Sequence, residues 1–219
     1  MPRPEGELRD QLAVYLVADP EQTERDLLED VMAALEGGVT AVQLRAKHMN
    51  DHDAWVLALQ LREHCHYHQA LFLVNDRLDI ALASQADGVH LGANDLPIGM
   101  ARWIAGPDFI IGYSPATDMQ AASATRVKAS YVGIGPVFAT GSKDDAGEPI
   151  GLDTLAHRIE LAEKPAVGIG GITPENAPLV IEAGAVGVSV ISAILRQPDP
   201  KDAAARLAAA VRRAKTGRA

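Results

Sequence analysis

Short apolar runs rich in β-branched residues recur along the chain, and stretches with helical spacing lie between several of them. Apolar runs of this length suit the strands of a parallel sheet covered by helices, so the pattern predicts repeated strand–helix units. The predicted strands cover 13–18, 40–44, 71–74, 87–91, 109–113, 130–135, 166–170 and 187–191. The clearest predicted helices cover 21–36, 51–68, 174–183 and 201–215.

Eight such units in succession favour an α/β fold, specifically a single (β/α)8 TIM barrel. The alternative is an open doubly wound sheet with a dinucleotide site, but no G-x-G-x-x-G motif follows the first predicted strand. No change in composition marks a linker. Residues 1–219 are therefore predicted to form one domain, with a polar N-terminal extension at 1–11 and a C-terminal tail at 216–219.

The formal net charge of -9 argues against a general surface for nucleic acid or anionic lipid. The single cysteine excludes an internal disulfide and a cysteine-based zinc site. The polar N-terminus lacks the apolar core of a signal peptide, and no apolar run approaches membrane-spanning length. These features predict a cytoplasmic protein that holds anionic small molecules in a local cationic pocket.

Polar residues follow several predicted strands, and in a parallel barrel these strand ends meet on one face. Gln43, Arg45 and Lys47 alternate along the end of the second strand, so they are predicted to project to the same side. The planar guanidinium and the compact ammonium suit the oxygens of a pyrophosphate. The alternative is a solvated strand end that happens to be basic.

Two aspartates follow neighbouring predicted strands. Asp76 closes the third strand after Asn75, and Asp95 follows the fourth strand. Mg²⁺ typically takes one or two protein carboxylates and completes its coordination with water and substrate phosphate. The alternative is that both aspartates cap the helices after them, and taken alone this interpretation is favoured, because aspartate is common at such junctions.

The segment 133–143 follows the sixth strand and contains glycines, the hydroxyls of Thr140 and Ser142, and Lys143. This composition predicts a flexible anion-binding loop. Ser114, at the end of the fifth strand, supplies another hydroxyl. Each residue is non-specific alone, since serine and threonine are ordinary loop residues.

Glycines and a hydroxyl follow the last two strands. Gly170 and Gly171 come after the seventh strand, and Ile191 and Ser192 after the eighth. Loops at these positions of a TIM barrel frequently bind phosphate through backbone N–H groups. The alternative is a pair of tight turns without a ligand.

The seven histidines show no metal-binding pattern. His90 differs from the others because it lies within the predicted fourth strand. It either orients a neighbouring side chain or is a hydrogen-bonded core histidine.

With these motifs in order, the chain resembles the thiamin phosphate synthase family over nearly its whole length. The resemblance implies a magnesium-dependent transferase of thiamin biosynthesis. It would join 4-amino-2-methyl-5-hydroxymethylpyrimidine diphosphate to 4-methyl-5-(2-hydroxyethyl)thiazole phosphate, giving thiamin phosphate and pyrophosphate by a dissociative substitution. The motifs that carry it are Gln43-Leu44-Arg45-x-Lys47, Asn75-Asp76-Arg77, 86–92 (Ala-Asp-Gly-Val-His-Leu-Gly), Gly133-x-Gly135-Pro136-Val137-Phe138 and Ile169-Gly170-Gly171-Ile172-Thr173.

The family's roles carry over residue by residue, with Arg45, Lys47 and Lys143 as the catalytic set. By this resemblance Mg²⁺ is held by Asp76 and Asp95. The diphosphate is held by Arg45, Lys47, Asn75 and Lys143. The pyrimidine contacts are Gln43 and Ser114, the loop contacts Thr140 and Ser142, and the thiazole phosphate contacts Gly170, Gly171, Ile191 and Ser192.

The chain departs from the family pattern at three places. Ser142 stands where the family often has threonine, which retains the hydroxyl. Ala93 stands where glutamine is usual, and Pro115-Ala116 stands where Thr-His-like pairs are frequent, so the resemblance leaves the contacts at these positions open.

Two other functions are compatible with a phosphate-binding barrel. A thiazole tautomerase binds the same phosphate but needs a positioned acid or base, and Ala116 stands where that relative is expected to have histidine. A non-catalytic barrel that senses phosphorylated metabolites is the second. In every case the expected partners are small phosphorylated molecules, and neither nucleic acid nor a membrane is expected. The sequence leaves open whether the protein forms a homo-oligomer.

Overall fold

The structure, a computed structural model, describes residues 5–141 and 147–217. Within these two segments eight parallel strands pair in chain order and close into a barrel, as predicted, so the open-sheet alternative is wrong. Each strand lies within one or two residues of its predicted position. The strands are β1 (Val14–Ala18), β2 (Ala41–Leu44), β3 (Leu71–Asn75), β4 (Gly88–Gly92), β5 (Ile110–Ser114), β6 (Tyr131–Ile134), β7 (Ala166–Ile169) and β8 (Gly187–Val190).

Helices follow the strands and cover the outside of the barrel. The helices are α1 (Glu5–Gln11), α2 (Leu27–Glu36), α3 (Asp51–Tyr67), α4 (Leu78–Ala83), α5 (Ile98–Ala105), α6 (Asp118–Ser123), α7 (Gly151–Ala162), α8 (Ala177–Glu182), α9 (Ser192–Leu195) and α10 (Pro200–Thr216). No helix in the described segments combines the length and apolar character that crossing a bilayer requires.

One helix prediction needs correction. The helix predicted over 21–36 begins only at Leu27, because the side chain of Asp26 accepts the N–H groups of Leu28 and Glu29 and starts a new helix there. A short 3₁₀ turn, Pro20–Gln22, precedes it.

The N-terminal extension predicted at 1–11 is also helical from residue 5, as α1. Leu8 and Leu12 are buried against the barrel. Two apolar residues are too few to show a helical period in the sequence.

The register of the strands brings their carboxyl ends to one rim. Leu44 of β2 pairs with Val74 of β3, and Asn75 pairs with His90 of β4. Gly92 then pairs with Ser114 of β5. The polar residues that follow these strands are therefore neighbours in space although they are distant in sequence.

Candidate active site

A cavity of about 1060 Å³ opens at the carboxyl ends of the strands. Twelve of the fourteen site residues predicted from the sequence line it, so the predicted convergence on one rim is confirmed for these twelve. The other two, Ser142 and Lys143, lie outside the described residues. The twelve are Gln43, Arg45, Lys47, Asn75, Asp76, Asp95, Ser114, Thr140, Gly170, Gly171, Ile191 and Ser192.

The cationic side of the cavity begins at the end of β2. The guanidinium of Arg45 donates to the carboxylate of Asp19, and both side chains are buried. Asp19 follows β1 and also accepts the backbone N–H of Glu21 at 3.0 Å. Sequence reasoning missed Asp19, although its position directly after a strand is the same signal that singled out Asp76. The ion pair fixes Arg45 at the edge of the cavity.

Asp76 has a backbone conformation that is unusual for a residue with a side chain. Its φ is +62°, in the left-handed region, and the N–H of Arg77 donates to the carbonyl of Asn75 at 2.7 Å around it. Its own N–H donates to the carbonyl of His90 at 2.9 Å. Strained backbone of this kind persists where surrounding structure holds it, and it concentrates at functional sites.

Asp95 lies beside Asp76 on the rim. Burial and the neighbouring Asp95 carboxylate raise the pKa of Asp76 to about 6, while Lys47 and Arg45 act in the opposite direction. Two carboxylates this close repel one another when both are ionised, and a shared divalent cation removes that repulsion.

The capping interpretation of the two aspartates, favoured when each is taken alone, is wrong. The residue at the start of α4 is Arg77 and that at the start of α5 is Pro97, and neither helix receives a side-chain cap. Asp95 instead accepts the backbone N–H of Gly92 at 2.7 Å. Both carboxylates line the cavity.

Two carboxylates suit Mg²⁺, which fills its remaining positions with water and phosphate oxygens. Within the described ranges, no set of three or more acidic, histidine or cysteine side chains is grouped for metal binding. The carboxylates of Asp76 and Asp95 thus fit a cation that also binds the oxygens of a phosphorylated substrate.

A chain of side-chain hydrogen bonds crosses the barrel interior beneath the cavity. The amide nitrogen of Gln43 donates to the phenol oxygen of Tyr15, and that oxygen lies 2.8 Å from the phenol oxygen of Tyr131. Tyr131 lies 2.8 Å from Nδ1 of His90, whose Nε2 lies 2.8 Å from Oγ of Ser114. Both interpretations of His90 hold: it is a hydrogen-bonded core histidine and it contacts a site residue.

Sequence reasoning missed Tyr15 and Tyr131. The available signal was a phenol at an inward position in each of two otherwise apolar strands. Both rings are fully buried, and burial raises the pKa of both phenols. They therefore stay protonated.

Gly170 and Gly171 have φ values of +98° and +64°. A Cβ atom on Gly170 would lie 2.5 Å from Cβ of Pro136, and one on Gly171 would lie 2.5 Å from the carbonyl oxygen of Ala139. Glycine is thus required here by backbone conformation and by the packing of the loop after β6. The turn interpretation accounts for the glycines, which also line the cavity beside Ser192.

Two arginines that sequence reasoning did not select also line the cavity. Arg158 of α7 donates to Asp118 at 2.9 Å, and Arg196 after α9 donates to Gln22 at 2.9 Å. They add positive charge to the lining of the cavity. Among the described residues, the cavity lining thus carries four cationic side chains against the carboxylates of Asp76, Asp95 and Glu148.

The thiamine monophosphate synthase family model matches residues 14–194. The chain belongs to this family. A thiamine-phosphate synthase from Moorella thermoacetica is 50% identical over 191 residues, which cover 87% of this chain and 91% of that protein. Neither the tautomerase nor the sensor hypothesis has support among these relatives.

A thiamine biosynthesis bifunctional protein ThiM/ThiE from Symbiobacterium thermophilum is 47% identical over 95% of this chain. This chain spans only 42% of that longer protein. Among solved structures, a thiamine phosphate pyrophosphorylase from Pyrococcus furiosus superimposes with a TM-score of 0.87 at 39% identity, covering 94% of this chain and 98% of that one. The family thus shares both the sequence and the barrel.

Proposed function

We propose that this chain is a thiamine-phosphate synthase, a transferase that joins an aminopyrimidine diphosphate to a thiazole phosphate and releases pyrophosphate. The observation that carries the proposal is the convergence of Arg45, Lys47, Asp76 and Asp95 on one cavity. Cations beside a pair of carboxylates suit a magnesium diphosphate, because the carboxylates hold the metal and the cations hold the remaining oxygens.

In this proposal Arg45, Lys47 and Asn75 bind the diphosphate oxygens, and Asp76 and Asp95 hold Mg²⁺. When bound, Mg²⁺ supplies positive charge against the oxygens of the leaving group. The Asp19 carboxylate keeps Arg45 in place, so its donors are oriented before the substrate arrives. From the sequence, Lys143 completes this set.

The reaction breaks the bond between the pyrimidine methylene carbon and the diphosphate oxygen, and pyrophosphate leaves with the electron pair. The thiazole nitrogen then forms the new bond to that carbon. The electron-rich aminopyrimidine stabilises the intervening cation, so no protein nucleophile is needed. Orientation and neutralisation of charge are then the protein's main contributions.

The remaining roles follow positions around the cavity. Gln43 and Ser114 contact the pyrimidine at the ends of β2 and β5. The backbone at Gly170 and Gly171 holds the thiazole phosphate beside Ile191 and Ser192, as phosphate sites after strands seven and eight do in many TIM barrels. Thr140 and Ser142 contact the substrates from the loop after β6.

The test is a coupled assay for pyrophosphate with both substrates and Mg²⁺, run with and without EDTA. We expect pyrophosphate only when both substrates and the metal are present. Release without the thiazole phosphate would indicate a hydrolase instead. Absence of release under all conditions would reject the proposed function.

A further inference from the structure

The hydrogen bonds inside the barrel take their direction from the orientation of the Gln43 amide, whose nitrogen faces Tyr15. An amide nitrogen can only donate, so the phenol oxygen of Tyr15 accepts from Gln43. Tyr15 has one O–H, which must then point to Tyr131. The oxygen of Tyr131 therefore accepts from Tyr15.

The same reasoning continues through the histidine. Since Tyr131 accepts from Tyr15, its O–H donates to Nδ1 of His90. Nδ1 is then without a proton, and the neutral imidazole carries its proton on Nε2. The Nε2–H group donates to Oγ of Ser114.

This direction determines what the two ends of the chain present to the cavity. Gln43 donates one amide N–H to Tyr15, and its carbonyl oxygen, an acceptor, is left for the cavity that the residue lines. Ser114 accepts from His90, so its hydroxyl proton is left to donate. An aminopyrimidine offers the complement: its amino group donates and its ring nitrogens accept.

We propose that Tyr15, Tyr131 and His90 are positioning residues that set the hydrogen-bond polarity of Gln43 and Ser114 and so select an aminopyrimidine over its oxo analogue. The oxo analogue has the opposite pattern, with a carbonyl acceptor and a ring N–H donor. The inference rests on the proposed function, since it takes the pyrimidine to lie between Gln43 and Ser114.

The residues packed around these hydrogen bonds leave the space that the bonds require. A Cβ atom on Gly112 would lie 2.3 Å from Nδ1 of His90 and 2.4 Å from the phenol oxygen of Tyr131. Only glycine leaves room for that hydrogen bond. The rings of His90 and Tyr131 lie 5.4 Å apart, and those of Tyr15 and Tyr131 lie 6.1 Å apart, so packing holds the donors and acceptors in position.

The first measurement is the tautomer of His90, read by ¹⁵N NMR on histidine-labelled protein. Its resonances are assigned by their loss in His90→Asn. We expect a proton on Nε2 and none on Nδ1. A predominant Nδ1–H form, or an imidazolium at neutral pH, would overturn the inference whether or not the protein is a synthase.

The second measurement is calorimetric binding of the monophosphates of the amino and oxo pyrimidines, neither of which can release pyrophosphate. We expect the native protein to bind the amino form at least about tenfold more tightly, and Tyr131→Phe to lose most of that preference. Tyr15→Phe removes the hydroxyl that donates to Tyr131, so it interrupts the same series of hydrogen bonds. It serves as the second variant if Tyr131→Phe fails to fold.

Tyr113→Phe is the matched control. It removes a phenol oxygen from β5 next to Ser114, yet Tyr113 is not part of the chain. Tyr113→Phe should prefer the amino form as strongly as the native protein does. A loss of preference in Tyr113→Phe equal to that in Tyr131→Phe would overturn the inference. An unchanged preference in both Tyr131→Phe and Tyr15→Phe would also overturn it. If the native protein binds neither monophosphate, the NMR result alone decides the polarity, and the pyrophosphate assay decides the proposed function.

Discussion

The guanidinium of Arg45 donates to the carboxylate of Asp19, and the two side chains are 10% and 2% exposed. Each group belongs to a different strand end, so the pair exists only when β1 and β2 lie side by side. A charge withdrawn from water is stable only while its partner is present. Asp19 thus stabilises the fold and holds a proposed substrate-binding group.

Asp19→Asn keeps the shape of the side chain and removes its charge. We expect it to lower the free energy of unfolding by about 2–3 kcal/mol, somewhat less than for a fully enclosed pair, because Arg45 also borders the cavity. Urea denaturation measures the loss. Asp118→Asn, which breaks the more exposed pair with Arg158, should cost much less. Equal stability of Asp19→Asn and the native protein would contradict the role of the pair.

Magnesium should stabilise the protein in a pH-dependent way. The pKa of Asp76 is raised to about 6 from its ordinary 3.8, so the folded protein binds this proton more tightly than the unfolded chain does. This group's contribution to stability is therefore present at low pH and is lost as pH rises between those two values. Bound Mg²⁺ offsets the loss, because it binds the ionised pair.

The increase in Tm on adding Mg²⁺ should accordingly be larger at about pH 7.5 than at about pH 5. Thermal denaturation with Mg²⁺ or EDTA at both pH values measures this. Asp76→Asn should show little response to Mg²⁺ and a higher Tm than the native protein in EDTA above the raised pKa. A metal response that is the same at both pH values would count against the carboxylate pair as the site.

Loss of the Asp76 charge should also slow the reaction. Asparagine tolerates the left-handed φ of this position, so Asp76→Asn tests charge rather than backbone. We expect the single-turnover rate to fall at least about tenfold, which corresponds to roughly 1.4 kcal/mol of barrier. Asp79→Asn is the control, since Asp79 is bound to Arg77 outside the cavity. A near-normal rate in Asp76→Asn would contradict its assigned role.

The sequence alone supports the same prediction for Lys143. Lys143→Ala should slow the single-turnover rate at least about tenfold, because it removes a cation from the departing pyrophosphate. Lys128→Ala is its control, because Lys128 lies between α6 and β6 and is not part of the cavity lining. An unchanged rate in Lys143→Ala would remove this residue from the catalytic set.

Gly171→Ala should affect thiazole phosphate binding more than pyrimidine binding. The added Cβ would lie 2.5 Å from the carbonyl oxygen of Ala139, so the loop after β6 must shift. We expect a KM for the thiazole phosphate raised at least about tenfold, with destabilisation of about 1–3 kcal/mol from the positive φ. In Gly99→Ala the new methyl meets no atom within 4 Å, and no such change is expected.

The local pattern predicted much of this molecule. The eight strands follow from short apolar runs, because strands buried on both faces need apolar residues throughout. The site residues follow from polar groups placed directly after those runs, since parallel strands bring such positions to one rim. Asp26, by contrast, starts α2 later than the apolar spacing predicts, because a side-chain cap can override periodicity.

The sequence by itself determined most of the residues that reach the rim, since they lie at the end of a strand or in the loop that follows it. Only the tertiary structure decided what those residues do there. The sequence alone favoured Asp76 and Asp95 as helix caps, whereas the fold places the two carboxylates side by side. Asp19 has a role at the site because the fold brings it into contact with Arg45. The hydrogen bonds from Gln43 through Tyr15 and Tyr131 join β1, β2 and β6, and such partners are chosen by closure of the barrel, which no local spacing encodes.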